Sequence, residues 1–129
     1  MIDNLFANEP HHYALHWLLS DGEYGMQKLA SANGLWLKPL TSKLVDSKFN
    51  IQMGVIEGNG NFSLVRADPN STCGWRSRYY GHKEPAISVM LEAHQHHVTF
   101  WTFFGFENDI VEKDGNTLNV NSKKISLVE

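Results

Sequence analysis

Residues 66–85, RADPNSTCGWRSRYYGHKEP, join two strand-like runs and carry the densest aromatic and cationic chemistry of the chain. A connection of this length without a periodic pattern is uncommon in a compact domain, where it is either a packed functional loop or disordered. Because the rings of Trp75, Tyr79 and Tyr80 gain free energy from burial, the composition favours a folded segment. Residues 66–85 are called the strap below.

Prolines and glycines shape the backbone of the strap. Pro69 and Pro85 restrict the chain near its two ends, and Gly74 and Gly81 bracket the aromatic residues. A residue that precedes a proline favours an extended conformation, which suits a junction between strand and loop. The strap is therefore expected to be an ordered connection between two strands.

Upstream of the strap, two segments alternate with the period of a strand. In residues 12–20, HYALHWLLS, one predicted face carries Tyr13, Leu15, Trp17 and Leu19, and the other carries His12, Ala14, His16 and Leu18. In residues 49–57, FNIQMGVIE, the apolar face carries Phe49, Ile51, Met53 and Val55. Gly58-Asn59-Gly60 predicts a turn, after which residues 61–67 return as the partner strand.

The segment between these two strands favours a hairpin. Asn33-Gly34 is the strongest hairpin signal of the chain, and LWLKPL at residues 35–40 is the returning strand. A short helix over residues 23–32 is the competing prediction. Gly25 and the Asn-Gly pair favour strands.

Downstream of the strap, residues 86–93, AISVMLEA, predict a strand with one apolar face, formed by Ile87, Val89, Leu91 and Ala93. Residues 94–97, HQHH, predict a polar turn. Residues 98–106, VTFWTFFGF, are apolar on both faces, which predicts a strand covered on both sides. Two more short strands are expected around Asp114-Gly115-Asn116, followed by the final KKISLVE.

At least eight short strands separated by turn signals predict an all-β fold, an antiparallel β-sandwich of stacked multi-stranded sheets with little or no helix. The 129 residues are expected to form a single domain, residues 1–129, because no linker or repeat divides them. A hydrophobic content of 42% indicates a globular chain.

Charge and composition limit the classes of partner. The net charge of −3 provides no general attraction for polyanions, and no nucleic-acid partner is expected. No apolar run approaches the roughly 20 residues of a membrane helix, and no signal peptide is recognisable, so a cytoplasmic location is the default expectation. The single cysteine, Cys73, excludes an internal disulfide. The strap has a local cationic excess, formed by Arg66, Arg76, Arg78 and Lys83 against Asp68 and Glu84.

Two runs of the sequence resemble the C-terminal β-sandwich region of the heparinase II/III-like polysaccharide lyases. The pattern W-x-S-x-x-Y-G-x-x-x-P-A is matched by Trp75, Ser77, Tyr80, Gly81, Pro85 and Ala86. The pattern ID-x-L…H-x-Y-x-L-H-W-x-L is matched by Ile2, Asp3, Leu5, His11, Tyr13, Leu15, His16, Trp17 and Leu19. The resemblance covers residues 1–105.

The resemblance implies stacked antiparallel sheets that belong to enzymes cleaving acidic polysaccharides by β-elimination. Catalytic and metal-binding residues of the family lie in an N-terminal α/α toroid and in the first sandwich strands, whose motifs this chain lacks. No catalytic residue, metal ligand or cofactor of the family is therefore assigned to this chain, and the chain is not expected to be active alone. The resembled family is often periplasmic or secreted, in contrast to the cytoplasmic default. The matched motif implies that Trp75 and Tyr80 anchor the strap, while Gly81 and Pro85 shape its exit.

The strap has two interpretations. Exposed rings can stack on sugars while arginines bind carboxylate or sulfate, and the candidate carbohydrate-binding residues are Trp75, Arg76, Arg78, Tyr79, His82 and Lys83. In the second interpretation Trp75 and one tyrosine are core residues, and Arg76 or Arg78 pairs with Asp68, Glu84 or a backbone carbonyl.

These interpretations give three functional hypotheses: a non-catalytic lyase domain that supports or guides acidic polysaccharide, a free-standing carbohydrate-binding module, and a minimal lyase acting through Tyr79 or Tyr80 with His82. A buried Trp75 would favour the first. An exposed Trp75 beside two unpaired arginines would favour the second.

Six of the seven histidines form two groups in the sequence, His11, His12 and His16, and then His94, His96 and His97. Neither group has a recognisable zinc spacing, so a wet strand face and a solvated turn are expected, with no functional metal. A sandwich lacking part of its strands would expose sheet edges, which predicts a homo-oligomer or a partner domain.

Overall fold

A computed structural model describes residues 1–29, 34–40, 49–56, 58, 60–106, 109, 111–114 and 117–126. Within these ranges the fold is all-β, with antiparallel sheets packed together as a sandwich, as predicted. The strands are β1 (Ile2–Leu19), β2 (Tyr24–Leu29), β3 (Gly34–Pro39), β4 (Phe49–Val55), β5 (Asn61–Arg66), β6 (Trp75–Arg76), β7 (Glu84–Pro85), β8 (Ile87–Phe106), β9 (Val111–Asp114), β10 (Thr117–Val120) and β11 (Lys123–Ser126).

The main sheet is built around β8, a strand of 20 residues. One edge of β8 pairs with β1 from Ile2 opposite Trp101 to Leu19 opposite Ile87. The other edge pairs with β5 along its first part and with β4 along its last part, and β3 and β2 follow beyond β4. A hairpin of β6 and β7 forms the strap's own small sheet, and β9, β10 and β11 form a separate meander.

The main sheet bends across β8, so that its two parts enclose one core. Ala93 and Val98 are five positions apart, which in a regular strand places side chains on opposite faces, yet both belong to the same buried cluster. The opposing strand β1 changes register between Phe6 and His11 at the same level. The core contains Leu35, Leu37, Ile51, Met53, Val55, Ile87, Val89, Leu91, Ala93, Val98 and Phe100.

A second cluster lies on the opposite face of the last part of β8, where the meander packs. It contains Ile56, Trp101, Val111 and Leu118, with Phe103 and Val120 packed against them. Residues 98–103 are therefore covered on both faces, as their continuous apolar sequence predicts, whereas Phe104 and Phe106 at the end of the strand are exposed, so the prediction is wrong there.

The predicted apolar faces are also confirmed. Tyr13, Leu15, Trp17 and Leu19 pack against the main core, as do Ile87, Val89, Leu91 and Ala93. Strands β2 and β3 pair from Tyr24 opposite Pro39 to Leu29 opposite Gly34, so the hairpin prediction is right and the competing helix is wrong. The predicted turn residue Asn33 itself lies outside the described residues.

The prediction of a polar turn at His94–His97 is wrong, because β8 continues through these residues. Their backbones pair with β1, with His94 opposite His12 and His97 opposite Phe6. The polar side chains mark a solvent-facing part of the strand, and the bend is accommodated by the register change in β1.

The prediction that β5 returns beside β4 is also wrong. Both strands pair antiparallel with β8, with Val55 opposite Phe100 and Asn61 opposite Glu92. Strands β4 and β5 therefore run in the same direction, one after the other along β8. Two glycines fit this break for different reasons. Gly58 has a φ of +86°, which L side chains rarely adopt, and a Cβ on Gly60 would lie 2.5 Å from the Leu91 side chain.

The chain end consists of short strands, as expected. β10 pairs with β9 from Thr117 opposite Asp114 and with β11 from Val120 opposite Lys123. Asn121 and Ser122 connect the last two strands with φ values of 50° and 70°, the backbone of a type I′ hairpin turn. The described part of the chain contains no helix long and apolar enough to cross a membrane.

Candidate functional site

The first part of the strap is a closed loop held by its own backbone. The Ala67 amide donates to the Gly74 carbonyl at 2.9 Å, and the Asp68 amide donates to the Cys73 carbonyl at 3.1 Å. Inside the loop, the Asp68 carboxylate accepts hydrogen bonds from the Asn70 amide and the Ser71 hydroxyl. These bonds hold the pKa of Asp68 below its ordinary value.

Gly74 connects this loop to the main sheet. Its amide donates to the buried Ser88 hydroxyl on β8 at 2.7 Å, and its carbonyl accepts from the Ala86 amide at 2.8 Å. The Ser88 oxygen also lies 2.9 Å from Nε2 of His16 on β1. Gly74 has a φ of +77°, and a Cβ at this position would lie only 2.3 Å from the Ala67 nitrogen, so the position accepts only glycine.

Trp75 is the internal anchor of the strap. Its side chain is half-buried, and the indole Nε1 donates to the Asp68 carbonyl at 2.7 Å. The Lys83 ammonium lies 4.2 Å from the ring centroid, which is a cation–π contact. Trp75 thus ties the loop to the β6–β7 hairpin, and one face of its ring is already occupied.

Arg76 and Arg78 converge on a single carboxylate. Nε of Arg76 lies 2.6 Å from Oε1 of Glu84, and Nε of Arg78 lies 2.7 Å from the same oxygen. Desolvation raises the pKa of Glu84, but the hydrogen bonds and charges of the two arginines outweigh it, so the pKa is lowered. His82 approaches the other oxygen of Glu84 at 3.7 Å.

The tip of the hairpin presents aromatic rings. Tyr79 and His82 are stacked with centroids 4.6 Å apart and an interplanar angle of 16°, and Tyr79 is 64% exposed. The Tyr79 carbonyl accepts from the Ser77 hydroxyl and from the His82 amide. Tyr80 is fully exposed, so the structure places it in solvent and not against the sheets as an anchor.

All six candidate carbohydrate-binding residues therefore lie on one short hairpin, but they differ in exposure and in whether they are paired with other residues. Both arginines are paired with Glu84, as the second interpretation of the strap expects. Tyr79 is exposed, as the first interpretation expects. Gly81 has a φ of +75° at the hairpin tip, and Pro85 ends the small sheet opposite Trp75.

The two histidine groups of the sequence meet at the bend of the main sheet. His12 lies opposite His94, and Nε2 of His12 is 3.5 Å from Oε1 of Glu92. Among the described residues, no three His, Cys, Asp or Glu side chains are arranged to hold a metal ion. The sequence alone does not predict that the two histidine groups lie side by side, because the pairing of their strands depends on the register change in β1.

A polar pocket of about 450 Å³ lies on the meander, lined by Glu112, Asn119, Asn121, Ser122 and Lys124. Asn119 lies directly opposite both Glu112 and Lys124 in the sheet register. The Asn119 Oδ1 atom is buried and has no hydrogen-bond partner in the part of the chain that the structure describes. The short polar strands gave no sequence signal for this pocket.

Comparison with known proteins adds no relative. No protein-family model matches the chain. Neither the curated proteins nor the solved structures gave a significant match.

Proposed function

We propose that the chain is a non-catalytic β-sandwich domain of the heparinase II/III-like type, which supports a catalytic unit and guides acidic polysaccharide along its strap. The observation that carries the proposal is the hairpin tip, where Tyr79 and Tyr80 are exposed on an ordered backbone. The family type rests on the matched sequence pattern, whose residues Trp75 and Gly81 lie in the strap.

The strap is suited to binding because its groups are held before any ligand arrives. Aromatic rings fixed by a stack and by backbone hydrogen bonds lose little conformational entropy when a sugar packs on them. Around Glu84, the cations Arg76, Arg78 and Lys83 leave a local positive excess. An acidic polysaccharide would therefore find both a ring platform and a complementary charge.

The same geometry argues against cleavage by the strap. β-Elimination requires a base aligned with the proton that it removes and a group that neutralises the neighbouring carboxylate. Tyr79 and His82 are stacked face to face, which does not align either group for proton transfer to the other. The expected role is therefore to hold substrate, with the chemistry supplied by a catalytic partner.

The test combines binding with product formation. The protein is incubated with alginate-type and heparan-type oligosaccharides while ultraviolet absorbance follows the double bond that β-elimination creates. We expect saturable binding and no increase in absorbance. An increase that disappears in Tyr79→Phe would contradict the non-catalytic assignment and favour a minimal lyase.

A free-standing carbohydrate-binding module is the second candidate, because the exposed rings of the hairpin tip suit it equally well. Half-burial of Trp75 and pairing of both arginines favour the supporting domain instead. The two candidates differ in their need for a partner. Equal affinity for polysaccharide with and without an added α/α toroid of a lyase would favour the module, whereas tighter binding in the mixture would favour the supporting domain.

A further inference from the structure

The two arginines of the hairpin contact Glu84 through the Nε atoms of their guanidinium groups. Both contacts are made by Nε, at 2.6 Å for Arg76 and 2.7 Å for Arg78, and both go to the same carboxylate oxygen. A guanidinium group carries five N–H donors, so each arginine has more donors than this Nε contact uses. The side chains are 32% and 63% exposed, which leaves them accessible from solvent.

Glu84 brings two like charges close together. Two nitrogens that share one oxygen at these distances are close neighbours, and the guanidinium groups would repel each other without the carboxylate between them. Two positive charges around one negative charge leave a net positive group. A second anion on the solvent side would complete its neutralisation.

We propose that Arg76 and Arg78, positioned by Glu84, bind one carboxylate or sulfate group of an acidic polysaccharide through their Nη groups. The Tyr79–His82 stack, on the same hairpin, receives a neighbouring sugar ring. This inference rests on the proposed function and names the groups that would recognise the anionic substituent. Guanidinium groups are suited to the task because their planar N–H pairs match carboxylate and sulfate oxygens.

Arg66 provides a matched control on the same strap. Its Nε and one terminal nitrogen bind the two carboxylate oxygens of Asp21 at 2.6 and 2.8 Å. This guanidinium is already engaged by both oxygens of a carboxylate. It should therefore contribute little to binding of a further anion.

The experiment compares Arg76→Lys, Arg78→Lys and Arg66→Lys, because lysine keeps the charge and removes the guanidinium geometry. Each variant is titrated calorimetrically with a heparin-type sulfated oligosaccharide, an alginate-type uronate oligosaccharide and a neutral oligosaccharide. We expect Arg76→Lys and Arg78→Lys to weaken binding of the acidic ligands about tenfold. Arg66→Lys should change their affinity less than about twofold, since its guanidinium is already engaged by Asp21. Equal affinities for all three variants would overturn the proposal.

A measurement on the unmodified protein guards against misfolded variants. Side-chain guanidinium N–H resonances of the arginines, those of Nη included, are followed during titration with inorganic sulfate and then with the sulfated oligosaccharide. The proposal predicts saturable shifts for Arg76 and Arg78 and a smaller shift for Arg66. Unchanged Arg76 and Arg78 resonances would overturn it.

These outcomes separate the inference from the proposed function. Binding of acidic oligosaccharides that is lost in Tyr79→Ala but kept in both Arg→Lys variants would overturn the arginine site alone. Saturable sulfate binding at Arg76 and Arg78 without binding of any polysaccharide would support the anion site and overturn the proposed function.

Discussion

Trp17 of β1 donates a hydrogen bond from its indole Nε1 to the hydroxyl of Thr102 at 3.3 Å, although 85 positions separate them. Trp17 pairs with Val89, and Thr102 lies thirteen positions further along β8. In a straight strand that separation would be roughly 40 Å. The contact therefore joins the two layers formed by the bent sheet, and the Trp17 ring also packs edge-on against Phe104.

Loss of the Trp17 ring should destabilise the sandwich. Trp17→Ala removes the packing against the core together with the donor to Thr102, and we expect a loss of about 3 kcal/mol in unfolding free energy. Trp17→Phe keeps most of the packing and should cost about 1 kcal/mol through the lost hydrogen bond. Urea denaturation measures both, with the exposed Tyr79→Ala as a near-neutral control. A cost below about 1 kcal/mol for Trp17→Ala would show that this contact does not hold the layers together.

Two glycines separate the effect of backbone conformation from that of crowding. Gly74 and Gly81 have nearly equal φ values of 77° and 75°, but a Cβ at Gly81 meets no atom within 4 Å. Gly81→Ala should therefore cost about 1 kcal/mol for the left-handed conformation alone. Gly74→Ala should cost at least about 2 kcal/mol more, because its Cβ would overlap the Ala67 backbone. Equal losses in denaturant unfolding would contradict the closed-loop geometry of the strap.

Acid should destabilise the protein through carboxylates that are bonded in the folded state. The hydrogen bond from Arg66 lowers the pKa of Asp21, and bonds from Asn70 and Ser71 lower that of Asp68. A folded-state pKa below the unfolded one stabilises the fold at pH values above the unfolded pKa, which is about 4 for aspartate. This contribution is lost as the pH falls through the folded-state pKa. Thermal unfolding from pH 7 to 3 should therefore show a smaller acid-induced loss for Asp68→Asn, and an unchanged pH profile would contradict the assignment.

Self-association stays a prediction, and β1 is the edge at which we expect it. In the described part of the chain β1 pairs only with β8, so its outer edge is open, and Phe6 on this strand is 76% exposed. Long apolar edge strands favour pairing with another chain. Light scattering after size exclusion should show a dimer or higher oligomer, reduced by Phe6→Lys and unaffected by Tyr80→Lys. A monomer at high concentration would contradict the prediction.

The side-chain period of two was sufficient to predict which faces of the strands are buried. It placed Tyr13 and Trp17 on the inner face of β1 and Val89 and Leu91 on that of β8, because burial follows alternation wherever one face is solvated. It could not predict that β8 continues through His94, because a polar run has the same local pattern in a turn and in an exposed strand. Pairing with β1 decides between them, and that pairing is not local.

Only part of the structure of the strap can be predicted from its sequence. Pairing of Arg76 or Arg78 with Glu84 follows from opposite charges a few positions apart, and it was one of two interpretations. Full exposure of Tyr80 could not be predicted, since the sequence does not distinguish a tyrosine that anchors a loop from one that projects from it. Its direction is set by the backbone at the hairpin tip, where Gly81 adopts a positive φ.

The most direct test of the central claim is an amide-resolved NMR titration with acidic oligosaccharides of the alginate and heparan types, reading residues 74–84. The proposed function predicts saturable shifts centred on Arg78, Tyr79 and Lys83 that disappear in Tyr79→Ala, with the remaining spectrum of that variant unchanged. A spectrum in which these residues do not respond to any acidic oligosaccharide would contradict the claim that the strap guides polysaccharide.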